Sequence, residues 1–505
     1  MAAWFRNLPL FVVLILLSAG AMLIPAAAGM MLGDFRTGRL FFYSSLLVGV
    51  GAWLIGIALQ AHPRPPTERT HLVAMFAAYL VLPVILSIPM QQAVGNTRFI
   101  NVYFDMVSAF TTTGAVIFEP DRFGMAVHLW RATVGWLGGL LIWISAMAIL
   151  APLNLGGYEV TSEAHVQGRV VSSTQQMRAA RPSERLRRST AKLTPVYVTL
   201  TAILAILLMS AGEDPIIATI HAMSTLSTSG ISPVAGLEGR PGGILAELLI
   251  FLFLFFALSR RTFTSGFGRH FIERVSRDRE IRLALFATIL VPTLLFARHW
   301  MGAWEVDELT DLGAALSALW GSLFTVLSFL TTTGFVSEHW DAAASWSGLG
   351  TPGIVLIGLV LMGGGVATSA GGLKLLRVYA LYKHGARELG KLIYPHSVAG
   401  AGRMGRRIRR EGAYIAWIFF MLFIIAMAAT MTGLAATGLR FEPAMILSIA
   451  ALSTTGSLAQ VAGEAPIAYV ALSDAAKLIL AAAMVIGRIE TLVLIALFNP
   501  AFWRS

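Results

Sequence analysis

From Leu8 to Leu32 the chain carries no charged residue, and further long charge-free runs follow it. A bilayer core takes about 20 apolar helical residues to span. Runs of that kind lie near 8–31, 40–60, 72–94, 127–151, 194–212, 243–258, 283–298, 352–373, 413–436 and 468–487. They predict an all-α polytopic membrane protein. Hydrophobic residues make up 56% of the chain and charged residues 13%. A soluble domain carries about 25% charged residues, so too little polar surface exists here to cover a water-soluble globule. Soluble enzymes and nucleic-acid-binding domains are excluded on that ground. No cysteine is present, which excludes disulfides and thiol chemistry. The first run exceeds the 7–15 apolar residues of a signal peptide and is read as a retained helix.

Four shorter apolar stretches, 99–113, 215–228, 313–332 and 441–455, sit between spans. Twelve helical residues reach about 18 Å, roughly half the hydrocarbon thickness, which suits re-entrant helices as well as core or interfacial ones. Charge separates two sides of the membrane. Segments 61–71, 153–192, 259–282 and 374–412 hold 26 Lys/Arg against 9 Asp/Glu. Segments 94–128, 213–243, 299–350 and 438–468 hold 4 against 14. The positive-inside rule makes the first set, with the N-terminus, cytoplasmic and the second external. The short stretches fall on the acidic side. Two explanations are open: a cation-concentrating vestibule, or external loops that merely lack retained basic residues. The basic runs lack interleaved aromatics, so contact with anionic lipid explains them better than nucleic acid.

Each short stretch ends in three hydroxyl residues and a glycine. They read Thr111-Thr112-Thr113-Gly114, Ser227-Thr228-Ser229-Gly230, Thr331-Thr332-Thr333-Gly334 and Ser453-Thr454-Thr455-Gly456. Chance placement gives about 0.1 copies of such a pattern, so four copies mark an internal repeat. The chain divides into two N-terminal helices (1–70) and four pseudo-symmetric helix–pore loop–helix repeats. These cover 71–155, 156–262, 263–382 and 383–505. Non-helical backbone at membrane depth survives only where it lines a watery path or is buried in protein. Four rows of carbonyl oxygens around one path can replace the hydration shell of a monovalent cation. Glycine allows φ > 0 there, and the C-terminal ends of the helices carry partial negative charge.

Two further features stand out. Residues 363–372 include Gly363, Gly364, Gly365, Gly371 and Gly372, with Lys374 just beyond. Glycine costs about 1 kcal/mol against alanine in a helix interior, so the helix should break or bend here. A mobile loop and close small-residue helix packing both fit this run. Arg488 lies in the apolar run Leu478–Leu497, where a membrane charge marks a functional candidate. It either narrows the ion path or snorkels to the inner headgroups. Glu490, two positions on, cannot share its helix face and should pair with another helix. Asp474 and Lys477 are expected to pair locally. His221 is the best candidate for a proton-coupling group if the protein is instead a sodium- or proton-coupled transporter of another solute.

With these residues in place, the chain resembles the Trk/Ktr/HKT superfamily of potassium transporters over about residues 72–500. Gly135-Trp136-Leu137-Gly138-Gly139 and Ala148-Ile149-Leu150 resemble its first-repeat helix, and Gly363 to Lys374 its glycine-rich interrupted helix. Ile486-Gly487-Arg488-Ile489-Glu490 resembles its fourth-repeat motif, and the two leading helices are similar to the TrkH branch. Ser229-Gly230-Ile231 departs from the usual texture of the second loop. The resemblance implies potassium uptake across a bacterial inner membrane through one path per chain. It implies coordination by backbone at Thr112, Thr113, Thr228, Ser229, Thr332, Thr333, Thr454 and Thr455, with Gly114, Gly230, Gly334 and Gly456 beside them. It implies a gate at Gly363, Gly364, Gly365, Gly371, Gly372 and Lys374 within 363–373, and a constriction at Arg488. Glycine at all four filter positions implies potassium over sodium. The resemblance further implies a homodimer and cytosolic nucleotide-binding regulatory subunits of the TrkA type, docking on 153–192 and 374–412. This chain has no glycine-rich dinucleotide fingerprint, so potassium is its only expected ion or cofactor and it is not expected to be an enzyme.

Overall fold

A computed structural model describes residues 8–60, 68–151, 182–234, 236–237, 239–264, 271–303, 312–346, 351–393 and 410–490. All regular structure among them is helical. Among the described residues, seven helical spans are long and apolar enough to cross a bilayer, against the ten runs expected from the sequence. The difference lies in the helices that follow the second, third and fourth signatures. The helix after the second loop runs only Gly243–Leu254 before a short 3-10 turn, and the one after the third stops at Met362. The last described helix covers Asp474–Ile489.

Chain order begins with α1 (Leu10–Ala21) and α2 (Leu23–Met31), which together form one apolar span, and α3 (Phe35–Gln60). Gly29 and Gly38 let α2 and α3 touch, since a Cβ on Gly29 would meet the Gly38 backbone at 2.9 Å. The lipid-facing character of α3 shows in Leu46, Leu47, Trp53 and Leu54, all exposed apolar residues. In a bilayer these contact acyl chains rather than water.

The rest is a run of long helix, short helix and return. The first is α4 (Glu68–Val94), α5 (Phe99–Phe110) and α6 (Met125–Ser145), the last continuing into a π-turn at Ala146–Leu150. Next come α7 (Pro182–Ser210), α8 (Pro215–Ser227) and α9 (Gly243–Leu254). Then follow α10 (Arg279–Ala303), α11 (Leu312–Leu330), α12 (Gly353–Met362) and α13 (Leu375–Ile393). The last are α14 (Arg410–Ala436), α15 (Phe441–Leu452) and α16 (Asp474–Ile489). The short helices α5, α8, α11 and α15 coincide with the four stretches expected to be re-entrant. Asp214 caps α8, its carboxylate accepting from Ile216 N at 2.9 Å, with Pro215 at the first helical position.

Glycines bring the return helices against the ends of the short ones. A Cβ at Gly138 on α6 would run into the Phe110 carbonyl, and one at Gly487 on α16 into the Leu452 carbonyl. Phe110 and Leu452 are the last helical residues before their hydroxyl signatures. Both glycines belong to the family-like motifs, and close approach is their physical reason.

Candidate functional site

The ends of α5, α8, α11 and α15 share one backbone geometry. The middle hydroxyl residue of each signature is left-handed: Thr112 at φ 55°, Thr228 at 53°, Thr332 at 57° and Thr454 at 55°. Its N–H bonds the carbonyl three residues back, at Ala109, Thr225, Phe329 and Ala451. The next N–H bonds the carbonyl five back: Thr113 to Ser108, Ser229 to Ser224, Thr333 to Ser328 and Thr455 to Ala450, all at 2.8–2.9 Å. That pair of bonds is a Schellman ending, normally built on glycine. A β-branched residue with φ > 0 is a genuine outlier. Four of them at equivalent positions mark a strained element held by its surroundings.

The four ends close a ring. A Cβ on Gly114 would strike the Ser229 carbonyl, and one on Gly230 the Thr333 carbonyl. On Gly334 it would meet Ser457 Oγ, and on Gly456 the Ala115 backbone. Each loop thus abuts the next in chain order, and the fourth returns to the first, where Gly456 N donates to the Thr113 carbonyl at 2.6 Å. Gly114, Gly230 and Gly334 have φ of 68°, 62° and 78°. Gly456 is not left-handed, so the expected glycine conformation holds in three loops of four.

Carbonyl accounting locates the chemistry. Thr112, Thr228, Thr332 and Thr454 are at most 1% exposed. Among the described residues no protein donor reaches any of their four carbonyl oxygens. Buried backbone carbonyls are almost always paired. Here four unpaired ones stand at matching positions in a closed ring.

Residues 363–374 break the helix, as the glycine run predicts, with α12 ending at Met362 and α13 starting at Leu375. The loop is buried beneath the ring. Gly371 N donates to Thr332 Oγ1 at 2.7 Å, and Ser369 Oγ to the Leu226 carbonyl at 3.2 Å. A Cβ on Gly371 would strike the Ser453 carbonyl. Cβ atoms at Gly364 and Gly365 would meet the backbone carbonyls of Ala257 and Leu258. Gly363 and Gly372 are left-handed and back onto each other. Glu280 on α10 anchors the loop by accepting from Val366 N at 2.8 Å. Lys374 is buried at 7% exposed and left-handed, and its ammonium bonds the Ala370 carbonyl.

Arg488 does not snorkel. It is 4% exposed, and its guanidinium donates to the Thr111 carbonyl at 2.7 Å, the Ser369 carbonyl at 2.5 Å and Thr454 Oγ1 at 3.3 Å. One cation therefore joins the first and fourth ring elements to the loop. Glu490 pairs with another helix as expected, accepting from Arg377 on α13 at 2.7 Å. Arg377 also lies 3.7 Å over the Phe419 ring of α14. A cavity below is lined by Ala146, Leu150, Ala367, Lys374, Arg488 and Glu490.

Other expectations are corrected. Asp474 pairs with Arg98, while Lys477 donates to Asn101 Oδ1 at 2.9 Å, so the two do not pair with each other. Asp105 and Glu213, counted among the external acids, do not face a vestibule. Asp105 is buried on α5 and takes two 2.8 Å bonds from Arg131 on α6. Glu213 is buried against His221 at 3.3 Å and Arg240 at 2.8 Å. Burial works against the Glu213 charge, but these two partners hold its carboxyl below the usual range. His221, the proton-coupling candidate, is enclosed in that cluster with Ser232. Glu247 on α9, which the sequence reading missed, accepts from Trp320 Nε1, Ser337 Oγ and Glu338 N behind the third element. The expected docking loops 153–192 and 374–412 lie partly outside the described residues: 152–181 and 394–409 are not among them.

The family model described as "TrkH: Cation transport protein" matches residues 283–505. The Trk system potassium uptake protein TrkH of Escherichia coli (strain K12) is 28% identical, over 97% of this chain and 98% of its own length. That of Vibrio parahaemolyticus is 29% identical over 99% of this chain and 100% of its own length. The crystal structure of the potassium transporter TrkH from Vibrio parahaemolyticus superposes with a TM-score of 0.80 at 24% identity, covering 99% of this chain and 100% of that one, and shares its fold. Over residues 283–505 the chain matches the TrkH family of cation transport proteins, and over nearly its whole length it is similar to Trk system potassium uptake proteins.

Proposed function

We propose that this protein carries potassium into the cell through a selectivity filter formed by the four signature loops. The observation that carries this reading is the set of unpaired carbonyls at Thr112, Thr228, Thr332 and Thr454, buried at the ends of four ring-closing helices. Helix C-termini add partial negative charge toward the same point. Carbonyl dipoles can replace the water around potassium without a fixed carboxylate. The names of its relatives, Trk system potassium uptake proteins, support potassium as the cargo.

In this reading the loop 363–373 is the gate and Arg488 the constriction. The loop presses against three ring elements and reaches the first through Arg488. Conduction then requires the loop to leave the ring and Arg488 to lose its Ser369 partner. The same reading places the protein in a bacterial inner membrane with basic loops and N-terminus inside. It works as a homodimer with nucleotide-binding regulatory subunits of the TrkA type at those loops. The four-repeat division of the chain belongs to this proposal.

Growth at low external potassium tests it. The wild-type chain should restore growth to cells lacking potassium uptake, and Gly334→Leu should not. Failure of the wild type, expressed and membrane-inserted, to restore growth would contradict it.

A further inference from the structure

The ring of free carbonyls is fourfold at the left-handed threonines but not at the glycines two residues further along; between them, the Thr113 and Thr455 carbonyls accept from Gly456 N and Leu458 N. The carbonyls of Gly114, Gly230 and Gly334 have no protein donor among the described residues. The Gly456 carbonyl has two. Ala459 N donates to it at 3.3 Å, because the chain turns directly into the short helix Leu458–Val461. The Tyr469 hydroxyl donates to it at 2.9 Å. A carbonyl oxygen has two lone pairs, so this one is fully engaged. Tyr469 is 2% exposed, with its ring 5.7 Å from that of Phe104, so the hydroxyl is held in place by packing.

The next residue supplies an oxygen without a partner. Ser457 Oγ is buried, makes no hydrogen bond, and lies where a Cβ on Gly334 would strike it. It is thus the free oxygen of the fourth loop beside the third glycine. A buried hydroxyl left unpaired costs free energy unless something else binds it.

We propose that Ser457 Oγ replaces the Gly456 carbonyl as the fourth-loop ligand for the permeating cation at the glycine level, and that the Tyr469 hydroxyl enforces the exchange. This rests on the potassium-path reading above. The filter then has four carbonyls at the left-handed threonines, and three carbonyls with one hydroxyl at the glycines. Tyr469 is a positioning residue, since it touches the Gly456 carbonyl and not the ion.

The test uses the purified full chain, with potassium, rubidium and sodium chloride as probes. Protection against thermal unfolding in detergent reports binding whether or not the gate is open, and flux in liposomes reports selectivity. Ser457→Ala should raise the potassium concentration for half-maximal protection roughly tenfold, as expected for losing one ligand to a charge. Ser457→Thr, which keeps the hydroxyl, should stay near wild type. Tyr469→Phe frees one lone pair of the Gly456 carbonyl, so the double variant Ser457→Ala/Tyr469→Phe should recover most of the loss. Packing alone predicts no such recovery. Wild-type potassium protection and selectivity in Ser457→Ala would overturn the proposal, as would a double variant no better than Ser457→Ala. If Ser457→Ala does not fold, Ser457→Gly takes its place in the same comparisons. A wild type that neither gains protection from potassium nor conducts it overturns the potassium-path reading itself.

Discussion

The guanidinium of Arg488 donates to the carbonyl of Thr111, 377 positions away in sequence, at 2.7 Å. That contact places a positive charge directly below the first ring element and, through Ser369, ties it to the glycine-rich loop. On the proposed path, a cation leaving the filter inward passes it. At an effective dielectric of 20 and a separation of about 6 Å, two unit charges repel by roughly 3 kcal/mol.

Arg488→Gln should therefore increase ungated potassium flux, by roughly a hundredfold if the full repulsion is relieved. Flux from liposomes holding purified wild type and variant measures this. Equal rates would remove Arg488 from the barrier.

The left-handed threonines separate in a second test. Thr332 Oγ1 accepts from Gly371 N, whereas Thr112 Oγ1 is buried without a partner. Thr→Val keeps shape and β-branching, so backbone strain is unchanged at both sites. Thr332→Val should lower stability by about 1–3 kcal/mol, leaving the Gly371 N–H unpaired, and should loosen the loop. Thr112→Val should change stability by less than about 0.5 kcal/mol. Thermal unfolding in detergent distinguishes them, and equal losses would contradict the assigned contact.

Behind the first short helix, Asp105 and Arg131 form a bidentate pair with both side chains almost fully buried. Asp105→Ala should cost about 3–5 kcal/mol by leaving the guanidinium unpaired. Asp105→Leu combined with Arg131→Met should recover most of it. Unfolding midpoints of the single and double variants decide the matter. A single variant as stable as wild type would show that the pair does not hold the helix.

The four short helices and the loop at 363–374 were legible in the sequence because both rest on local rules. Three of the four apolar runs, at 14–15 residues, are too short to span, the third carries the same signature at its end, and clustered glycines break helices. The pairing of Glu490 off its own helix followed from a two-residue offset. Other features depended on contacts no spacing encodes. Asp474 and Lys477 stand three apart, a helical pairing distance, yet each is captured by the segment near Arg98 and Asn101. Asp105 and Glu213 read as external charge because their partners lie 26 and 27 residues onward, across a turn. The left-handed threonines were hidden for a different reason. Propensity argues against a β-branched residue there, so the four-residue signature pointed to the right place and to the bent glycines of three loops, but not to the bent threonines. The shortfall in long spans arose because hydropathy does not register where a helix stops inside an apolar run, as at Met362.

The most direct test of the account is the potassium-to-sodium flux ratio of the purified chain in liposomes, for wild type, Gly114→Ala and Gly334→Ala. Both glycines are left-handed, and an added Cβ would collide with the neighbouring loop at the Ser229 carbonyl or Ser457 Oγ. The wild type should pass potassium well ahead of sodium, and both variants should lose that preference while remaining folded. Folded variants that keep the wild-type ratio would contradict the claim that these four loops form the filter.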